Sequence, residues 1–159
     1  MQSVETFLAY AIQLEREAAL RYGQLADAMQ SCSNREVERL FRRLADYSRL
    51  HLADAMTRAG FREIPEIGAE LFNWPDLESP ETAAIWGADP FIGCAQALEI
   101  ALEAEQAGFA YYNEIFQSTD DPEIRVLAAE FAAEEHEHVS ELKKWIAARN
   151  AGAPFPVSP

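Results

Sequence analysis

The chain has 159 residues, 49% of them hydrophobic, which suits one domain around a single well-filled core. Its formal net charge of −14 argues against nucleic acid and anionic membranes as partners; a solvated acidic surface is the plain reading of that charge and a cation funnel the sharper one. No run approaches the ~18 apolar residues of a membrane span, and the start, MQSVETFLAY, lacks the basic and apolar regions of a signal peptide, so a cytoplasmic protein is expected.

A first helix is expected from about Ser3 to Gln30, with Ser3 and Thr6 a weak start signal and the turn-like SCSN at 31–34 a clear stop. The second begins after Ser33 or Asn34. There Ser33-Asn34-Arg35-Glu36 has the form of a capping box, and Gly60 supplies a natural end. Residues 61–90 carry prolines at 65, 75, 80 and 90, which forbid a long helix. Ser79-Pro80-Glu81 allows a short one over about 80–86. Loops beyond about 12–15 residues are unusual in a compact domain, so this crossover needs a reason. Its Phe72, Trp74 and Trp86 are expected to cover the bundle or a dimer partner. A third helix follows Asp89-Pro90 and runs to about Ser118; a fourth starts at Asp121-Pro122 and runs to about Asn150. The expected organisation is all-α: a four-helix bundle over residues 1–150 with its crossover at 61–90, and an extended tail at 151–159. Short loops join antiparallel neighbours, and one long middle connection changes the direction of the second pair.

Residues spaced alternately by four and three line one face of each helix. In the first this gives Val4, Leu8, Ala11, Glu15, Ala18, Tyr22, Leu25 and Met29; in the second, Val37, Phe41, Leu44, Ser48, His51 and Ala55. The third gives Phe91, Cys94, Leu98, Ala101, Glu105, Gly108, Tyr112 and Ile115; the fourth, Ile124, Ala128, Phe131, Glu135, His138, Leu142 and Trp145. Each seam is apolar except near its middle, at Glu15, at Ser48 and His51, at Glu105, and at Glu135 and His138. Carboxylates gathered in an apolar core repel one another and lose their hydration, and a bound cation relieves both. Glu and His are ligands for divalent first-row metals, and a mixed oxygen and nitrogen set suits iron or manganese, with zinc a further candidate. Glu135 and His138 are three apart, so both reach one ion. Glu17, Glu99, Glu103, Glu134, His136 and Glu137 fall off the seams and are expected on solvated faces.

The two halves also resemble each other. LEREAALRY at 14–22 matches AEQAGFAYY at 104–112, and FRRLADYSRLH at 41–51 matches AAEFAAEEHEH at 128–138. Equivalent side chains from two halves are what a two-metal site with pseudo-twofold symmetry needs. With these motifs the chain resembles the rubrerythrin-related branch of the ferritin-like superfamily, over about residues 3–148. The resemblance implies a ferritin-like fold holding two iron ions. Glu15 and Glu105 become terminal ligands, Glu135 a bridging ligand beside His138, and His51 the histidine of the second helix. Tyr22 and Tyr112 stand where such proteins place tyrosines bonded near the site.

The pattern departs from that family at Ser48, which stands where the second helix should carry a bridging Glu, and at Gly108, where a further Glu is common. The half-site of Glu15 and His51 is therefore weakened, and its ion is expected to be labile; a single tightly held ion near Glu105, Glu135 and His138 is the alternative. Cys32 and Cys94 form no CxxC, so these residues cannot build a rubredoxin-type site to pass electrons; both are expected to pack as small apolar residues. The resemblance implies a di-iron oxidoreductase of peroxidase or ferroxidase type, supplied by a separate electron donor, and a homodimer. A non-catalytic iron-binding or delivery protein, and a structural dimer with a degenerate site, are the alternatives.

Overall fold

The computed structural model describes residues 3–31, 33–75, 79–80 and 93–152. Among the described residues four long helices dominate, α1 (Val4–Ser31), α2 (Arg35–Ala59), α3 (Cys94–Ser118) and α4 (Pro122–Asn150), with a 3-10 turn at Ala69–Leu71. Their ends follow local chemistry. Ser3 Oγ accepts from Thr6 N at 3.0 Å and so caps α1 more firmly than its sequence suggests. Asp121 Oδ1 accepts from the backbone of Glu123 and Ile124 at 2.8 and 3.1 Å, ahead of Pro122 in the first turn of α4. Gly60 ends α2 with φ of 56°. Replacing that cap, Asp121→Ala, should cost about 0.5–2 kcal/mol, readable as a lowered denaturant midpoint with unchanged m-value.

The expected capping box does not form. Ser33 has φ of 58°, which closes the turn after α1, and Asn34 takes the position before α2 without a side-chain cap bond. Backbone bonds from Ser33 to Gln30 (3.0 Å) and from Asn34 to Met29 (2.8 Å) hold this turn instead. The demands of reversing the chain override the local signal.

Helix directions follow from two apolar clusters. One joins the C-terminal half of α1 (Tyr22, Ala26, Met29) to the N-terminal halves of α2 (Leu40, Phe41, Leu44) and α3 (Ala97, Leu98, Ala101) and to Leu142 and Trp145 of α4. The other joins the opposite ends, with Phe7, Leu8, Ala55, Tyr112, Ile124 and Phe131. So α1 and α2 are antiparallel, as are α3 and α4, whereas α2 and α3 run the same way. Arg149–Glu36 (2.8 Å) at one end and Arg62–Glu5 (3.0 Å) at the other agree with this arrangement.

Parallel neighbours cannot be joined by a tight turn. The chain must return along the 25 residues of α2, roughly 37 Å at 1.5 Å per residue. That is the reason for the long connection over residues 60–93. Its middle packs on the bundle: Trp74 is buried edge-on against Tyr10 and Tyr111, at 5.0 and 5.6 Å, and Phe72 stacks on Trp74. The backbone N–H of Asn73 donates to the Tyr10 hydroxyl at 2.9 Å. Cys32, residues 81–86 with Trp86, Asp89, Pro90, Phe91 and the tail from residue 153 lie outside the described residues, as does the Cys94 side chain. Among the described residues no helix is long and apolar enough to cross a membrane.

Candidate metal centre

Between the two apolar clusters lies one polar layer. Glu15, Ser48, Glu105 and Glu135 are buried in it, while His51 and His138 keep 14% and 18% of their side chains exposed. The imidazoles thus form the edge through which the layer meets solvent.

The layer has near-twofold geometry. His51 Nδ1 lies 3.5 Å from Glu15 Oε1, and His138 Nδ1 lies 3.5 Å from Glu105 Oε2. The two imidazoles stack with centroids 4.5 Å apart and planes 4° from parallel. Glu135 joins the halves: its Oε1 is 3.2 Å from His51 Nδ1, and its carboxyl influences the ionisation of both Glu15 and Glu105. Ligand atoms of His51, Glu135 and His138 lie within 4.8 Å of one another, close enough to hold a metal ion. The i, i+3 spacing of α4 puts Glu135 and His138 on one face. On α2 the equivalent pair is Ser48 and His51.

The electrostatics fit a cation. Burial pushes the Glu15 carboxyl above its ordinary range despite His51 beside it. Burial also opposes charge on Glu105, but hydrogen bonds with His138 and Glu135 outweigh it and hold this carboxyl below the usual range. Burial opposes charge on His51 too, yet its bond to Glu15 and the surrounding carboxylates raise its pKa. Glu15 Oε2 is buried with no hydrogen-bond partner among the described residues. An orphaned carboxylate oxygen within a mixed oxygen and nitrogen donor set is what a first-row divalent ion satisfies.

The chain aligns over 97% of its length with 97% of a solved chain described as COG1633, an uncharacterised conserved protein from Magnetospirillum magnetotacticum MS-1, at 36% identity and a TM-score of 0.69. The chain belongs to that COG1633 family. No protein-family model and no curated protein matches it.

In this COG1633 member every seam residue singled out at mid-helix reaches the same layer. Tyr22 and Tyr112 are buried on either side of it, Tyr22 stacked on Phe41 at 6.0 Å and Tyr112 edge-on to Phe7 at 6.2 Å. Glu99, Glu103, His136 and Glu137 are exposed, as their positions off the seams predict, whereas Glu17 is only partly exposed and accepts from Gln13 Nε2 at 2.6 Å. Glu134 is the correction. It is only partly exposed and sets Oε2 3.7 Å from His51 Nε2, on the far side of that ring from Glu15 and Glu135. Burial raises its pKa to about 7; His51 opposes the rise, and a hydrogen bond with Asp54 adds to it. The seam pattern missed it because Glu134 sits ~100° around α4 from Glu135. Only the reach of His51 across from α2 brings it to the site, and no local signal carries that information.

Proposed function

We propose that this protein binds two divalent first-row ions, iron foremost, in the polar layer, and acts as a di-iron oxidoreductase of the ferritin-like, rubrerythrin-related kind. One observation carries the reading: ionisable groups occupy the middle of a core that is apolar on both sides. Replacing such buried charges with apolar groups is often neutral or stabilising, so a bundle gains nothing in folding by keeping them. Glu15, His51, Glu105, Glu135 and His138 are the proposed ligands, with Glu135 shared between the halves.

Held by Glu15, His51, Glu105, Glu135 and His138, two ferrous ions would supply two electrons for the reduction of hydrogen peroxide or dioxygen, with protons taken up from solvent. The chain's own groups bind, orient and exclude. Tyr22, Phe41, Leu44 and Leu98 close the layer on one side, and Tyr112 and Phe131 on the other. The partly exposed edges of His51 and His138 leave a way in for a small oxidant. Electrons come from a separate donor. A homodimer is part of the same proposal.

Ser48 makes the two positions unequal. It is buried on α2 one turn before His51, where the twofold partner on α4 is Glu135. A serine hydroxyl is a poor ligand unless ionised, so the ion near Glu15 and His51 is the weaker. Ser48→Glu should raise occupancy from near one ion per chain toward two and increase peroxide turnover, checked by elemental analysis and stopped-flow peroxide consumption. No change in either would sink the role assigned to Ser48. Fast ferrous uptake and release without peroxide consumption would instead make the protein an iron carrier.

A further inference from the structure

We infer that Glu134 is a positioning residue for His51, drawing the ring proton to Nε2 so that Nδ1 is free to ligate. The consequence for metal loading rests on the two-ion reading above; the geometry of the ring does not. His51 has a carboxylate on each side of its ring: Glu15 and Glu135 at Nδ1, at 3.5 and 3.2 Å, and Glu134 at Nε2, at 3.7 Å.

That arrangement poses a chemical problem. A neutral imidazole carries one proton, and the nitrogen that holds it cannot bind a metal. Two carboxyl groups crowd Nδ1, the side facing the proposed ions, and would keep the proton there. An acceptor on the opposite nitrogen is the usual remedy, since metal-bound histidines commonly donate their second N–H to a carboxylate or carbonyl. Glu134 is the group that can do this. Asp54, one turn after His51 on α2, raises the proton affinity of Glu134, and Arg58 contacts both Asp54 (3.8 Å) and Glu130 on α4 (2.6 Å). His138 is held by other means, its ring lying between Tyr47 at 4.7 Å and His51 at 4.5 Å.

The placement bears on Ser48. The half-site of Glu15 and His51 lacks a carboxylate on α2, so its ion depends more on His51 being in the right form. Helix α4 thus serves both halves, through Glu135 and His138 directly and through Glu134 at one remove.

Two substitutions separate the roles. Glu134→Gln keeps an acceptor without the charge; Glu134→Leu removes both. The partly exposed position lets each variant be checked for an unchanged helical spectrum. In chelator-treated protein, long-range proton–nitrogen correlation at a pH where the imidazoles are neutral reads the His51 tautomer. Glu134→Leu should move the proton to Nδ1, and Glu134→Gln should largely restore the wild-type balance. In a manganous titration, Glu134→Leu should weaken the second ion by about 10–100-fold and leave the first nearly unchanged, with Gln in between. A tautomer balance identical in all three proteins overturns the inference. A tautomer shift in protein that binds no ion would uphold the positioning role and overturn the two-ion reading instead. Equal weakening of both ions by Leu and Gln alike would reduce Glu134 to a general acidic neighbour and also overturn it.

Discussion

Glu135→Gln should abolish stable metal loading while making the metal-free bundle more stable. Glu135 is the group that acts on both halves, 3.2 Å from His51 Nδ1 and a contributor to the ionisation of Glu15 and Glu105. Changes to groups that only support a metal ligand cost about 10–100-fold in affinity, so loss of a ligand shared by two ions should cost more. The amide is nearly isosteric, and its N–H can donate to Glu15 or Glu105. Removing one buried carboxyl from a crowd of three relieves repulsion and desolvation. A gain of about 1 kcal/mol would raise the thermal midpoint of the chelated protein by roughly 2–4 °C. The two signs together are the test, read by metal analysis after loading and by calorimetry in chelator. A variant that keeps its metal would remove Glu135 from the centre; one that loses both metal and stability would make its role one of folding.

Much of this centre was legible in the sequence because helical periodicity is a local property. The alternation by four and three fixes which side chains share a face, and it breaks only where chemistry replaces packing. Glu15, Glu105 and Glu135 could therefore be picked out by the cost of burying them. The Asp121-Pro122 start was legible for the same reason, since a cap bonds within three residues. Ser33 was not: its φ of 58° answers to the α1–α2 reversal, which a four-residue motif does not encode. Glu134 was not, because its place depends on how far α2 and α4 lie apart. Directions were legible only through the length of the connection, and the parallel run of α2 and α3 gives that length its cause.

The pH dependence of stability should reverse sign when the site is loaded. In the metal-free protein Glu134 holds its proton to about pH 7, against an ordinary carboxylate value of 4.5, and Glu15 is raised as well. A raised acid binds its proton more tightly in the folded state, so its contribution is lost as pH rises through that window. His51, raised above its ordinary 6.5, acts in the same direction: its stabilisation is full below 6.5 and lost as pH passes its folded value. Glu105 is lowered, so its contribution disappears only as pH falls below the ordinary carboxylate range, beneath this window. Chelated protein should accordingly lose thermal stability from about pH 5 to 8, in part discounted for Glu134 by its exposure to solvent. A divalent ion needs the deprotonated ligands, so the loaded protein should gain as pH rises to about 6.5, where the unfolded imidazoles lose their protons, and level off above it. At about 100 times the dissociation constant the ion adds ~2.7 kcal/mol, which is roughly 5–10 °C for a chain of this size. The two melting curves should therefore diverge with rising pH and meet near the acidic end. Parallel curves, with and without manganous ion, would mean that the protons held by Glu15, Glu134 and His51 do not stand where the metal binds.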